Sequence, residues 1–206
     1  MKLKTISVAA LIVVGWSAAA WAGSFEKTRD GGLRHKPSGV EFPARVGVFR
    51  FEGTKFYGSA GRDVGAEYDF ESLVRGDVYV YPLGTYGKDF DAEVRVQQNA
   101  ITKVNKAVKL VSQSRCQLNQ TGRNITGVRV QYDLTRAIFR SKARRCGSQL
   151  YVFRDGPWLV AYRFSYPIEK AGEATKRITD FLRLWQWRVR GTVTLLEPTS
   201  ADGRHS

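Results

Sequence analysis

The sequence is poor in the residues that usually do chemistry. Its 206 residues include two histidines, two cysteines and one methionine, and 19 acidic side chains stand against 33 basic ones. Histidine is the usual proton carrier near neutral pH, yet His35 and His205 fall in segments that read as an exposed leader and a tail. A Ser-His or Cys-His nucleophile therefore has no placed base. Ser59 stands in Gly58-Ser59-Ala60-Gly61, which is a turn rather than a nucleophile elbow. No phosphate loop, dinucleotide fingerprint or H-E-x-x-H occurs, and nothing near either cysteine adds ligands at zinc-like spacing. No cofactor and no metal are expected. Beyond the extreme N-terminus no apolar run approaches the roughly 18 residues of a spanning helix, so the mature chain is expected to carry no transmembrane segment. With 43% hydrophobic and 25% charged residues, the chain can still build an ordinary packed core.

What is present begins with an address. Lys2 and Lys4 precede an apolar stretch, residues 6–14, and small residues end in Ala20-Trp21-Ala22. This is the pattern of a secretory signal peptide over residues 1–22, and it places the protein in the periplasm or outside the cell. Cleavage would take away two lysines and no acid, so 206 less 22 leaves 184 residues and the charge of +14 falls to +12. An oxidising compartment favours a disulfide between Cys116 and Cys146, which lie 30 positions apart (146 less 116). Such a loop would contribute roughly 3 to 4 kcal/mol. The alternative is two separately buried free thiols.

Residues 23–41 mix charges with glycine and proline and read as a flexible leader, 42–196 as a single α+β domain and 197–206 as a disordered tail. Within the domain, residues 46–57 read as strands around a Gly53-Thr54 turn. Val64, Ala66, Tyr68 and Phe70 alternate with polar neighbours, and Val78-Tyr79-Val80-Tyr81 form a further strand stopped by Pro82. The period then changes. Phe90, Val94, Ile101, Val104, Val108 and Val111 follow three- and four-residue steps and predict a helix over 89–112. Strand patterning returns at Val128, Val130, Tyr132 and Leu134. Two apolar runs flank Asp155-Gly156-Pro157 and predict a hairpin. Its return strand puts Trp158, Val160, Tyr162, Phe164 and Tyr166 on one face, where a sheet needs its core. From Pro167 on, Ile168, Ala171, Ala174, Ile178, Phe181, Leu182 and Trp185 mark a second helix, and residues 189–196 read as a last strand.

The order of elements resembles the PsbP-like family. The resembling residues are Gly76-Asp77-Val78-Tyr79-Val80-Tyr81-Pro82 before the long helix, then Asp155-Gly156-Pro157-Trp158 through Tyr166-Pro167, and the helix ending Leu184-Trp185. The resemblance covers about residues 42–187. It implies an antiparallel β-sheet sandwiched by two main helices, a three-layer α+β sandwich, and an exported non-catalytic accessory or binding module. It transfers no ligand.

Charge supplies the remaining clue. Arg136, Arg140, Lys142, Arg144 and Arg145 fall within ten residues, and in an extended strand the first four share a face. Cations are costly to bury unpaired, so this face is expected to meet solvent or an anion. Outside the cytoplasm that anion is an envelope component or an acidic protein partner; nucleic acid has the right charge and the wrong compartment. One alternative is a carboxylate-dependent hydrolase of envelope carbohydrate using Glu67 and Asp69, which with Glu71 recur every second residue. Those acids read more simply as a solvated face paired with Arg or Lys. Another is a structural subunit of a larger assembly.

Overall fold

The computed structural model describes residues 23–57, 61–71, 73–105, 107–120 and 122–185. The expected signal peptide (1–22), Ser59, the last strand at 189–196 and the tail at 197–206 lie outside the described residues. The described residues form an α+β architecture, mostly antiparallel sheet with two helices. Three short strands open the chain, β1 (Phe25–Lys27), β2 (Leu33–His35) and β3 (Glu41–Phe42), and pair in that order as a small sheet. Then come β4 (Arg45–Val46), β5 (Phe49–Phe56), β6 (Val64–Phe70) and β7 (Val74–Pro82). Helix α1 (Phe90–Val104) leads to β8 (Val108–Gln120), β9 (Arg123–Phe139), β10 (Lys142–Asp155) and β11 (Trp158–Pro167). A single 3₁₀ turn, Ile168–Lys170, enters helix α2 (Ala171–Leu184).

The large sheet runs β4-β5-β6-β7-β11-β10-β9-β8. It consists of two antiparallel meanders, β4 to β7 and β8 to β11, that meet where Val80 faces Val160. The β10–β11 hairpin closes on Gly156-Pro157, with Asp155 opposite Trp158. Gly156 supplies φ +59, and the following proline fixes a negative φ, the combination of a type II′ turn.

The buried apolar residues form two clusters, and successive residues of β11 alternate between them because strand side chains have period two. Val160, Tyr162 and Phe164 join Tyr68, Phe49 and the α2 residues Ala174, Ile178 and Phe181, with Trp185 just past the helix. Leu159 and Ala161 join Tyr81, Val130 and Leu150 with Val94 and Ile101 of α1. The aromatic row on the return strand is therefore core: Phe181 sits 4.9 Å from the ring of Phe49 and 5.3 Å from that of Phe164.

Four expectations are corrected. Helix α1 stops at Val104 rather than near 112, because Asn105 turns extended and Val108 to Gln120 pair with β9; β-branched residues at 108 and 111 suit that ladder. Gly53 is not a turn but lies at a bulge within continuous β5, and the reversal falls at Gly47, φ +58. The segment 23–41 is no loose leader: His35 is fully buried and packs against Trp158, ring centroids 5.9 Å apart.

The fourth concerns the thiols, which are free. Cys116 lies opposite Gly127, which lies opposite Phe153, while Cys146 lies opposite Leu134. Seven residues of β10 separate the two positions, about 24 Å at strand rise, where a disulfide needs Cα atoms within about 7 Å. Cys116 also packs on the first cluster and Cys146 belongs to the second. Burial pushes the Cys116 thiol up to about 11 and raises that of Cys146.

Candidate functional site

The five expected cations gather at one end of the β9–β10 hairpin, but not on one continuous strand. Arg140 and Ser141 form its two-residue loop at φ +49 and +64, with Phe139 opposite Lys142. A register shift between Arg144 and Cys146 further breaks the alternation. Three of the five are ion-paired within the fold. Arg140 binds both oxygens of Asp69 on β6, although β7 and β11 intervene in the sheet. Arg144 lies 3.7 Å from Glu169. Arg145 donates from Nε to both oxygens of Asp133, at 3.0 and 3.1 Å, and holds that carboxyl below its ordinary range. Arg136 and Lys142 are exposed and have no ion pair among the described residues.

The acidic row is similarly engaged. Glu67 accepts from Lys55 and, at 2.8 Å, from Arg75. Burial alone would raise its carboxyl, but those two cations outweigh it and leave it below the usual range. Asp69 is held by Arg140, and Glu71 sits in the turn after β6 at φ +47. A hydrolytic acid needs a raised carboxyl, and that of Glu67 is lowered instead.

A different site emerges where α1 crosses the sheet. On β7, Val78 and Val80 enter the core while Tyr79 and Tyr81 project to the opposite face. There they meet Tyr57, Tyr86, Asp63 and Arg163 in a cleft of about 270 Å³, walled by Val96, Gln97 and Ala100 of α1. The space comes from small neighbours: Gly65 lies opposite Tyr79 and Ala161 flanks it on the other side. A Cβ at Gly65 would come within 3.0 Å of the Tyr57 ring, so this glycine lets that ring lie along the strand. Tyr57 and Tyr79 stand 5.7 Å apart and tilted; Tyr81 and Tyr86 stand 5.4 Å apart and edge-on.

Polar contacts fix the rings. Gln97 Nε2 donates to Tyr81 Oη at 2.8 Å, and the Tyr86 hydroxyl donates to Asp63 Oδ2. Tyr86 lies on the loop between β7 and α1, and that loop is pinned from below. Glu93, fully buried in the first turn of α1, accepts from the backbone N–H groups of Gly84 and Tyr86, both at 3.0 Å through Oε1. Burial raises the Asp63 carboxyl, opposed by the Tyr86 hydrogen bond and reinforced by the charge of Glu93. Burial also raises Asp77, opposed by Arg75 and Arg163. Tyr57 is pushed up to about 12, first by burial and then by Asp77, Glu67 and Asp63. Sequence reasoning placed Tyr79 in a strand but did not assemble this cleft, whose members span residues 57 to 163; the available signal was a pair of tyrosines on the strand face opposite two buried valines.

The described residues thus form an α+β protein built on one large antiparallel sheet, with a small three-stranded sheet and two helices, carrying an aromatic cleft and a basic hairpin. Its sequence matches no protein-family model and no curated protein. Among solved structures it is similar to a Pseudomonas aeruginosa protein of unknown function, with 12% identity over 77% of this chain and 97% of that one and a TM-score of 0.43. It is also similar to cyanobacterial PsbP from a Synechocystis species, with 13% identity over 86% of this chain and 99% of that one and a TM-score of 0.45. The second bears the name of the family that the element order resembles. No helix among the described residues is long and apolar enough to cross a membrane.

Proposed function

We propose that this protein is an exported, non-catalytic accessory or binding module of the cell envelope, periplasmic or secreted, that presents its β9–β10 hairpin to an anionic envelope component or an acidic protein partner. The three-layer PsbP-like sandwich is part of this reading and is supported by the two core clusters, each of which includes one helix. The observation that carries the binding role is the division of labour among the cations. Arg140 and Arg144 tether the hairpin to Asp69 and Glu169 and Arg145 pairs with Asp133 across it, whereas Arg136 and Lys142 are exposed and have no ion pair among the described residues. Exposed cations on a held scaffold attract anions without first breaking an internal pair.

Co-sedimentation with vesicles containing anionic phospholipid, and capture of acidic envelope proteins at physiological salt, test this together. The double variant Arg136→Glu, Lys142→Glu is expected to lose binding in whichever arm the wild type shows it. Equal binding by the variant and the wild type in both arms overturns the reading.

A further inference from the structure

The tyrosine cleft lies apart from the cations proposed to face the envelope, and its local charge runs against that of the protein. In a chain with 33 basic and 19 acidic residues, the cleft is lined by one carboxylate, Asp63, and one guanidinium, Arg163. Arg163 stands directly across the strand pair from Asp77, which offsets it. The charges that weigh most on the Tyr57 hydroxyl, those of Asp77, Glu67 and Asp63, are negative, as are Glu93 and Asp63 at Tyr81, while at Tyr79 the charge of Asp77 is opposed by Arg163 and Arg75. The walls are phenol rings, whose π-faces are themselves negative.

From this arrangement we infer that the cleft binds a small organic cation, a quaternary or alkylated ammonium group, held among Tyr57, Tyr79, Tyr81 and Tyr86 with Asp63 as its counter-charge. An inorganic cation is not the occupant that this chemistry selects, because a mostly aromatic wall supplies too few oxygens to replace a hydration shell. An anionic ligand would face Asp63, and the lining cation in its favour, Arg163, is already offset by Asp77. A neutral apolar ligand would leave Asp63 buried, at 7% exposure, without the charge that offsets its desolvation. An alkylated ammonium meets both demands: its weakly hydrated methyl groups lie against ring faces, and its charge is shared with a carboxylate that already has one oxygen fixed by Tyr86. A cleft of about 270 Å³ suits a single head group with a short arm. Tyr57 and Tyr86, each 47% exposed, form the rim through which such a ligand enters.

Choline and its neutral isostere, in which carbon replaces the quaternary nitrogen, separate charge recognition from simple apolar filling. Titration of the full chain is followed by nuclear magnetic resonance of the tyrosine ring signals. Choline is expected to bind saturably and to shift the rings of the cleft, and the isostere to bind about tenfold more weakly. Asp63→Asn is expected to weaken choline by a similar factor while leaving the isostere unchanged. Tyr57→Leu, at a half-exposed position, is expected to weaken choline as well. Equal affinity for choline and the isostere, no saturable shift with either, or an Asp63→Asn variant that binds choline as the wild type does, each overturns the inference. The hairpin variant Arg136→Glu, Lys142→Glu is expected to bind choline normally, so failure here and failure of the envelope-binding role are told apart.

Discussion

Replacing Glu93 by alanine is expected to cost more than any other single carboxylate change in the described fold, because two backbone donors depend on one of its oxygens. Gly84 and Tyr86 each donate to Oε1 at 3.0 Å, and the residue is fully buried. A hydrogen bond to a charged group is worth roughly 1.5 to 3 kcal/mol, so the two together contribute about 3 to 6 kcal/mol before offsets. Two offsets apply. Oε2 is buried without a partner among the described residues, so the alanine variant is relieved of a poorly solvated oxygen, and the loop is only part-buried, so water can reach the freed N–H groups. A net loss of about 2 to 4 kcal/mol follows. Glutamine keeps an acceptor at Oε1 and is expected to lose only about 1 kcal/mol. Urea unfolding followed by tryptophan fluorescence reads both; with a slope of about 1 to 3 kcal/mol/M, the alanine variant should lower the midpoint by roughly 1 M or more. The same variant should weaken choline binding, since the loop that carries Tyr86 loses its anchor. If Glu93→Ala stays within about 0.5 kcal/mol of wild type, or if glutamine is as damaging as alanine, the acceptor argument is wrong.

Phe181→Ala should destabilise by about 3 to 5 kcal/mol, since its ring meets Phe49, Tyr68, Phe164 and Trp185 at 4.9 to 5.4 Å; a loss below about 1 kcal/mol in the same urea assay would mean that α2 does not pack there. His35 should make stability fall in mild acid. Its Nε2 faces the Gly61 carbonyl at 2.8 Å and so carries the proton, while Nδ1 accepts from Ser38. Burial lowers its affinity for a second proton, opposed by Gly61. The unfolded chain therefore protonates first, so stability is full above about pH 6.5 and declines as pH drops below it; His35→Gln should flatten that slope, and unchanged slopes would refute the assignment. Both thiols should resist alkylation at neutral pH in the folded protein and react once it is unfolded, and reductant should leave the melting temperature unchanged; a reductant-induced drop of several degrees would restore the disulfide.

Legibility in the sequence followed the range of the interactions. The β10–β11 hairpin and the buried face of α2 were readable because each is set by period within a short stretch: Trp158 to Tyr166 alternates, and Ala174, Ile178, Phe181 and Leu182 repeat at helical spacing. Where both periods fit, the local pattern misled. Val104, Val108 and Val111 satisfy helical steps, yet the ladder with β9 decided for a strand. Strands of two or three residues, such as β1 to β3, are too short to show any period. The thiol pairing failed because it depends on register across three strands, which spacing along the chain does not encode. The cationic run was visible, but which of its members are ion-paired among the described residues depends on Asp69 and Glu169, remote in sequence, and on Asp133 across the hairpin. The cleft needed residues from the β5 end, β6 entry, β7, the following loop, α1 and β11 to converge.

The seam between the two meanders bears on how the chain folds. Within each meander every ladder joins neighbours in sequence, so it can zip from its own turn. Only the β7–β11 ladder brings Val80 to Val160 across α1 and three intervening strands. Closing that long connection carries the largest loop entropy in the large sheet, so the two halves should acquire local order early and the cooperative step should be their docking. The cleft draws Tyr57, Asp63, Tyr79 and Tyr81 from one half and Arg163 from the other. It is therefore among the last features to be completed, and ligand binding would act as a clasp on the seam, slowing unfolding more than it speeds folding.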